Sequence, residues 1–137
     1  MLKIILALAL GLAAARAEDT HAKTPQPRHI ARGAEVSLSD YLVPGKTTVF
    51  DFYSEYCSDC KAIEPSLDAL HRAREDLAVV KVDINRPEVR GEIDWQSPVA
   101  RQYGVDYTPR FTIYGPDGKL QSDGKPAAKI VKGWIGS

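Results

Sequence analysis

Cysteine is scarce in this chain: its 137 residues contain two, Cys57 and Cys60, separated by two positions. A disulfide between them closes almost no loop, and entropic stabilisation by a disulfide grows with the loop it closes. A stabilising role as a structural disulfide therefore explains the presence of the two cysteines poorly. A structural zinc site needs four ligands, and the other candidates are only His21, His29 and His71. We expect no metal and no cofactor.

An excess of charge of either sign is also missing. Lysine and arginine together number 18, and so do aspartate and glutamate. Nucleic-acid binding and docking on anionic membranes both require a basic surface, so the composition predicts neither partner. The hydrophobic share of 44% and the charged share of 26% are close to the averages for soluble globular chains.

One long apolar run is present, from Ile4 to Ala15. It is shorter than the roughly 20 residues that a spanning helix needs. Lys3 precedes it, and small residues at cleavage spacing follow, so residues 1–17 have the pattern of a secretory signal peptide. We expect an exported protein, periplasmic or secreted, without a membrane span in the mature chain. Retention as a membrane anchor is the alternative. Cleavage leaves 16 basic and 18 acidic residues.

Residues 18–33 contain prolines and charges but no hydrophobic period, which is typical of a flexible leader. A single domain is expected over 34–137. Within it, residues 47–53 are mostly β-branched or aromatic on both faces, which predicts a buried strand.

The next segment has apolar residues at helical spacing to about residue 77. Cys57 then lies at the N-terminus of this helix, and Pro65 kinks it. A second strand at 78–84 completes a parallel, right-handed βαβ unit.

The last third of the chain predicts shorter elements. Ser97 caps a short helix that ends near Tyr103, and residues 110–114 form a strand. A turn at 115–118 leads to a returning antiparallel strand at 128–135. This arrangement leaves no C-terminal helix.

Two cysteines at the start of a helix have a defined chemistry. The free N–H groups and the positive end of the helix dipole favour the thiolate of the first cysteine. Cys57 is therefore expected to attack a partner disulfide, and Cys60 to resolve the mixed disulfide.

The residues from Val49 to Lys61, VFDFYSEYCSDCK, resemble the active-site segment of the thioredoxin superfamily. The resemblance extends from about residue 36 to residue 134. It implies an α/β fold with a central mixed sheet and flanking helices. It also implies an enzyme, a thiol-disulfide oxidoreductase that maintains redox balance through a Cys57–Cys60 disulfide.

The resemblance also implies roles for other residues. Pro109 would follow a cis peptide bond beside the cysteines, and the backbone of Thr108 would pair with a substrate strand. Asp51 and Lys81 match a buried acid and its neighbouring lysine, and this acid could accept the proton of Cys60. The alternative for this pair is an exposed Asp51 and a Lys81 that extends into solvent.

The sequence departs from the family at several positions. Ser58 and Asp59 stand between the cysteines in place of glycine and proline, and should tune the redox potential. Asp59 should raise the pKa of Cys57 and favour a reductant, unless it is a solvated acid that only complements the helix dipole. Tyr56 replaces a tryptophan and keeps an aromatic cover over the site. The sheet face without a helix would be covered by the leader, by residues 86–97 or by a partner.

Three functions remain open. The first is a reductase of protein disulfides, whose partners are disulfide or dithiol proteins and a membrane protein that recharges it. The second is a peptide-binding or chaperone module in which Cys57–Cys60 is static. The third is a thiolate carrier of copper that also uses a histidine of the leader.

Overall fold

The computed structural model describes residues 21–136 as a mixed sheet with helices on both faces. The elements in chain order are β1 (Arg28–Ile30), a short 3-10 helix (Leu38–Tyr41), β2 (Thr47–Tyr53), α1 (Ser58–Ala73), β3 (Leu77–Asp83), α2 (Pro98–Gln102), β4 (Arg110–Tyr114), β5 (Leu120–Asp123) and α3 (Lys125–Ile135).

The sheet has five strands in the order β1-β3-β2-β4-β5. β3 pairs in parallel with both β1 and β2, and β4 pairs antiparallel with both β2 and β5. β2 therefore lies at the centre of the sheet. This arrangement confirms the expected fold class, a central mixed sheet with flanking helices.

Two apolar clusters cover the two faces of the sheet because side chains alternate along each strand. Phe50 and Phe52 of β2 pack on one face with α2 and the 3-10 helix. Val49 of β2 and Val79 of β3 pack on the other face with α1 and α3. Asp51 lies two positions from Val49, and Lys81 two from Val79, so both point toward α1 and α3.

The two helices near the predicted site begin as the sequence indicates. Cys57 is the N-cap of α1, and Pro65 lies inside that helix. Ser97 caps α2, and its hydroxyl oxygen accepts a hydrogen bond from the N–H of Ala100 at 3.2 Å. Pro98 follows at the first helical position, where proline costs no hydrogen bond.

The predicted absence of a C-terminal helix is wrong. Residues 125–135 form α3, and the antiparallel partner of β4 is the earlier strand β5. Ala127 and Val131, which are four residues apart, are both completely buried, whereas Lys129 between them is exposed. This is helical periodicity. The β-branched residues of this segment had favoured a strand, but Pro126 in the first turn suits a helix.

The expectation of a flexible leader over residues 18–33 fails for Arg28–Ile30, which form β1 at the edge of the sheet. Ile30 is buried against the core. A strand of three residues is too short to show a hydrophobic period, so the sequence pattern does not indicate β1. The sheet therefore begins before residue 34.

Upstream of β1, Lys23 is also fixed to the domain. Its ammonium group donates hydrogen bonds to the carbonyl oxygens of His71 and Arg74 at 2.5 and 2.7 Å. These carbonyls belong to the C-terminal end of α1, where a cation is favourable.

The predicted signal peptide, residues 1–17, lies outside the described residues. Between residues 21 and 136, no helix combines the length and hydropathy of a membrane span.

Candidate active site

The structure joins Cys57 and Cys60 in a disulfide at the N-terminus of α1. The Sγ of Cys57 also accepts a hydrogen bond from the N–H of Cys60 at 3.1 Å. Both residues are nearly buried, with 5% and 3% of their surface exposed. A sulfur that receives a free N–H at the positive end of a helix is stabilised as a thiolate. The N-terminus of α1 places one such N–H on the sulfur of Cys57.

A polar network fixes the turn between β2 and α1. The hydroxyl of Ser54 donates to the Oδ1 of Asn85 at 2.7 Å and accepts from the N–H of Tyr56 at 3.1 Å. The carbonyl oxygen of Ser54 accepts from the N–H of Cys57 at 3.1 Å. Ser54 thus positions the backbone that carries the first cysteine.

Asn85 connects this turn to the loop after β3. Its side-chain nitrogen donates to the carbonyl oxygens of Val89 and Glu92, and its Oδ1 also accepts from the N–H of Asp94. Our sequence reasoning did not identify Ser54 or Asn85. The available signal was their location, since each follows the carboxyl end of a central strand.

Asp51 and Lys81 are partners in the parallel register of β2 and β3, and each is 1% exposed. The alternative in which Asp51 lies on an exposed edge is therefore wrong. Within residues 21–136, neither carboxylate oxygen of Asp51 has a hydrogen-bond partner. Burial raises the pKa of Asp51 to about 7, against the opposing effect of Lys81 and with a further increase from Glu64.

The ammonium group of Lys81 forms its ion pair with Glu64. The ammonium nitrogen lies 3.4 Å from the Oε1 of Glu64 and 5.0 Å from the centre of the Tyr53 ring. Glu64 follows Cys60 by one helical turn on α1, so both side chains are on the same side of that helix. Lys81 thus connects β3 to Glu64 on α1, and its charge also lowers the pKa of Asp51 on the adjacent strand. Sequence reasoning missed Glu64.

The Thr108–Pro109 peptide bond is cis, which is the geometry that the resemblance implied. Thr108 is partly buried, and its hydroxyl oxygen has no hydrogen-bond partner among the described residues. Its backbone N–H and carbonyl also make no hydrogen bond with that part of the chain. Thr108 therefore has hydrogen-bonding groups that the described part of the chain leaves unused.

The other predicted residues lie on two sides of the disulfide. Ser58 and Asp59 are exposed in the first turn of α1. Asp59 and Pro109 line a groove of about 850 Å³. Tyr56 is partly buried and lines a separate hollow of about 440 Å³ with Arg86.

Two of the three histidines, His21 and His71, line one small pocket. His29 is on β1, and its Nδ1 is 2.7 Å from the hydroxyl of Tyr53. His71 is buried on α1 and bonds to the backbone of Thr24 and Val79. The structure from residue 21 to 136 contains no group of three or more His, Cys, Asp or Glu side chains placed to hold a metal ion.

Comparison with known proteins agrees with this geometry. Residues 35–133 match the family model described as Thioredoxin. A thioredoxin of Streptomyces clavuligerus is 29% identical over 96 residues, which are 69% of this chain and 81% of that protein. A chloroplastic F-type thioredoxin of Brassica napus is 37% identical over 68 residues, 50% of this chain but only 33% of the relative.

Solved structures give the same fold. The long form of thioredoxin f from spinach chloroplast superposes with a TM-score of 0.59 at 17% identity, covering 88% of this chain and 95% of that one. Family membership and the Cys57–Cys60 disulfide together support thiol-disulfide oxidoreductase activity. The chain belongs to the thioredoxin family.

Proposed function

We propose that this protein is an exported reductase of protein disulfides. The observation that carries the proposal is the disulfide between Cys57 and Cys60, which lies at the positive end of α1. A disulfide that closes so short a loop adds little stability, whereas a dithiol at this position has an activated nucleophile.

The reaction begins with the reduced pair. The Cys57 thiolate attacks one sulfur of the partner disulfide, and the other partner sulfur leaves as a thiolate that takes up a proton. Cys60 then loses its proton and attacks the Sγ of Cys57. The mixed disulfide breaks, and the second partner sulfur leaves and is protonated in turn. Two electrons have passed to the partner, and the Cys57–Cys60 disulfide has formed.

Asp51 is our candidate for the group that accepts the proton of Cys60. Its pKa of about 7 lies near neutral pH, where a buried carboxylate can both accept and release a proton. Glu64, one helical turn beyond Cys60, pairs with Lys81 and raises the pKa of this acid. Lys81 is a positioning residue in this scheme, because it limits the pKa of Asp51.

Substrate binding is assigned to the cis-proline side of the disulfide. The free backbone groups of Thr108 can pair with an extended segment of the partner, as in the addition of a strand to a sheet edge. Pro109 shapes this surface beside the cysteines, and Tyr56 covers the opposite side.

The direction of electron flow and the location rest on sequence. Asp59 is exposed between the cysteines. Its negative charge disfavours the thiolate of Cys57, and a less stable thiolate favours a reductant. The signal-peptide pattern of residues 1–17 favours export. A reductant in an oxidising compartment needs a supply of electrons, for which we propose a membrane partner.

The reduction potential of the Cys57–Cys60 pair tests this function. The protein without residues 1–17 is equilibrated in glutathione or dithiothreitol buffers, with Cys57→Ser and Cys60→Ser as controls. We expect a value near roughly −270 mV or below, as in thioredoxin-type reductants. A value near roughly −120 mV is that of an oxidant and would refute the reductase direction.

A second function follows from the low exposure of both cysteines. A disulfide enclosed in this way could be static in a peptide-binding module. A pair that resists reduction, or that exchanges no electrons with a disulfide protein such as insulin, would favour this alternative over the reductase.

A further inference from the structure

A groove follows the seam between α1 and α3 and reaches Asp59, the residue before Cys60. Its volume is about 850 Å³, and Asp59 and Pro109 line the end nearest the cysteines. Ala62, Ile63 and Phe111 supply apolar surface within it. The groove thus continues the surface on which a substrate would meet Cys57, and it has room for residues flanking the reacting disulfide.

One wall of this groove is strongly basic. Lys125, Lys129 and Lys132 of α3 all line it, because residues three and four apart lie on the same face of a helix. None of the three forms an ion pair or a side-chain hydrogen bond with another residue of the described chain. Their charges are therefore available to a partner.

This concentration of charge differs from the rest of the molecule. The sequence of α3, KPAAKIVKGWI, contains no acidic residue, whereas the whole chain has equal numbers of acidic and basic residues. Asp59 on the opposite wall is the one carboxylate of residues 21–136 that lines the groove. The part of the groove formed by these residues consequently has a net positive charge and an apolar floor.

The start of α3 fixes these lysines relative to the disulfide. The N–H of Gly124 donates to the carbonyl oxygen of Phe111 at 2.9 Å, on the strand that follows Pro109. A side chain at Gly124, whose φ is 70°, would come within 3.2 Å of the Tyr107 hydroxyl. Lys125 is therefore held close to the cis-proline, not on a loosely attached helix.

We propose that this groove selects partner proteins in which an acidic segment flanks the reactive disulfide. Glutamate or aspartate side chains of that segment pair with the lysines of α3, and its apolar residues contact the floor. This inference rests on the proposed function, because the groove acts by presenting a disulfide to Cys57. Its charge is complementary to acidic peptides and opposes basic ones.

The experiment uses three synthetic peptides, each with one intramolecular disulfide. The residues that flank the disulfide are glutamates in the first peptide, glutamines in the second and lysines in the third. The protein is reduced, freed of reductant and mixed with each peptide, and acid quenching followed by thiol alkylation gives the single-turnover rate. We expect the glutamate peptide to react about three- to tenfold faster than the glutamine peptide at low salt, and the lysine peptide to react slowest.

Two variants with the same change in charge separate a local effect from a general one. Lys125→Gln/Lys129→Gln removes two charges from the groove, whereas Arg101→Gln/Lys119→Gln removes two exposed charges elsewhere. The ratio of the glutamate to the glutamine rate should fall to near one in the first variant and persist in the second. The ratio should also fall at about 0.5 M salt, where charges on the surface are screened.

The outcomes separate this inference from the function on which it rests. Reduction of all three peptides at equal rates, or an equal loss of preference in both variants, would overturn the acidic specificity and leave the reductase intact. Failure to reduce any peptide, together with failure to reduce insulin, would instead refute the reductase and the groove inference with it.

Discussion

Asp51 and Lys81 lie opposite each other on adjacent parallel strands, and both side chains are almost completely buried. They nevertheless form no ion pair, because the ammonium group of Lys81 is directed to Glu64. The carboxylate of Asp51 is left without a hydrogen bond in the described part of the chain. A buried acid without a hydrogen bond favours its protonated form. Asp51 can therefore hold a proton, and its ionised form destabilises the fold.

Asp51→Asn should stabilise the protein at neutral and alkaline pH. The pKa of Asp51 rises from its ordinary 3.8 to about 7 in the folded protein, so the folded state binds a proton more tightly than the unfolded state. Stability is therefore lost as pH rises between these values. The gap corresponds to about 4 kcal/mol above pH 7, and this is the stabilisation expected of the variant there.

Urea unfolding at about pH 4 and about pH 8 measures this effect. The difference between the variant and the original protein should be small at the lower pH and large at the higher one. Asp106→Asn, at an exposed position, serves as a control and should change little at either pH. An Asp51→Asn variant whose gain in stability over the original protein is no larger at pH 8 than at pH 4 would contradict a buried, unpaired Asp51.

Glu64→Gln should shift the pH dependence of the resolving step. Glu64 raises the pKa of Asp51 and also occupies the ammonium group of Lys81. Removing its charge lowers the pKa of Asp51 on both counts. The rate at which Cys60 resolves a mixed disulfide, followed against pH, should therefore reach its midpoint at lower pH. Glu35→Gln, at an exposed glutamate, should leave the midpoint unchanged. An unmoved midpoint in Glu64→Gln would count against a role for Glu64.

His71 should make the protein less stable in acid. Its Nδ1 accepts from the N–H of Val79 at 3.0 Å, and its Nε2 donates to the carbonyl oxygen of Thr24 at 2.7 Å. This ring is neutral, and burial lowers its pKa. The unfolded state therefore takes up the proton first, and stability falls as pH drops below about 6.5.

His71→Gln should destabilise the protein by about 1–3 kcal/mol near pH 7.5, because the buried N–H of Val79 loses its acceptor. The deficit relative to the original protein should shrink toward pH 5.5, and urea unfolding at both pH values tests it. His29→Gln, which loses only an exposed contact with Tyr53, should cost less than 1 kcal/mol. A deficit that is constant with pH would show that His71 is not neutral in the fold.

The C-terminal helix can be tested with neighbouring residues. Val131 is completely buried, whereas Ile130 is 41% exposed. Val131→Asp should destabilise the protein by more than about 3 kcal/mol, and Ile130→Asp by less than about 1 kcal/mol. Lys129→Ala should also be nearly neutral, since a helix places residue 129 in solvent and a strand would place it on the face of Val131. A large loss of stability in Lys129→Ala would indicate that residues 125–135 form a strand.

The parts of the fold that depend on local pattern could be predicted from the sequence. β2 has a continuous apolar and β-branched composition, α1 has apolar residues at helical spacing after Cys57, and Ser97 is a typical N-cap for α2. These elements therefore have the expected location, with bounds close to those expected. The sequence of α3 favours a strand because its β-branched residues fit both the period of a strand and that of a helix over so short a segment. β1 was missed because three residues carry no period.

The site divides in the same way. The cysteine pair, Asp51, Lys81 and the cis Pro109 were all found through motif and resemblance. The partners that orient them were not, because Ser54, Asn85 and Glu64 act through contacts between elements that are distant in sequence. Neither spacing nor composition reports such contacts, and the lysine groove likewise required the packing of α3 against α1.

The most direct test of the central claim is covalent trapping of a substrate. Cys60→Ser, reduced and mixed with a peptide disulfide, should accumulate a mixed disulfide through Cys57, because the resolving thiol is absent. Mass spectrometry of the acid-quenched sample should show the peptide attached at Cys57, and Cys57→Ser should trap none. Equal trapping by Cys57→Ser, or no adduct with either variant, would contradict the assignment of Cys57 as the attacking and Cys60 as the resolving cysteine.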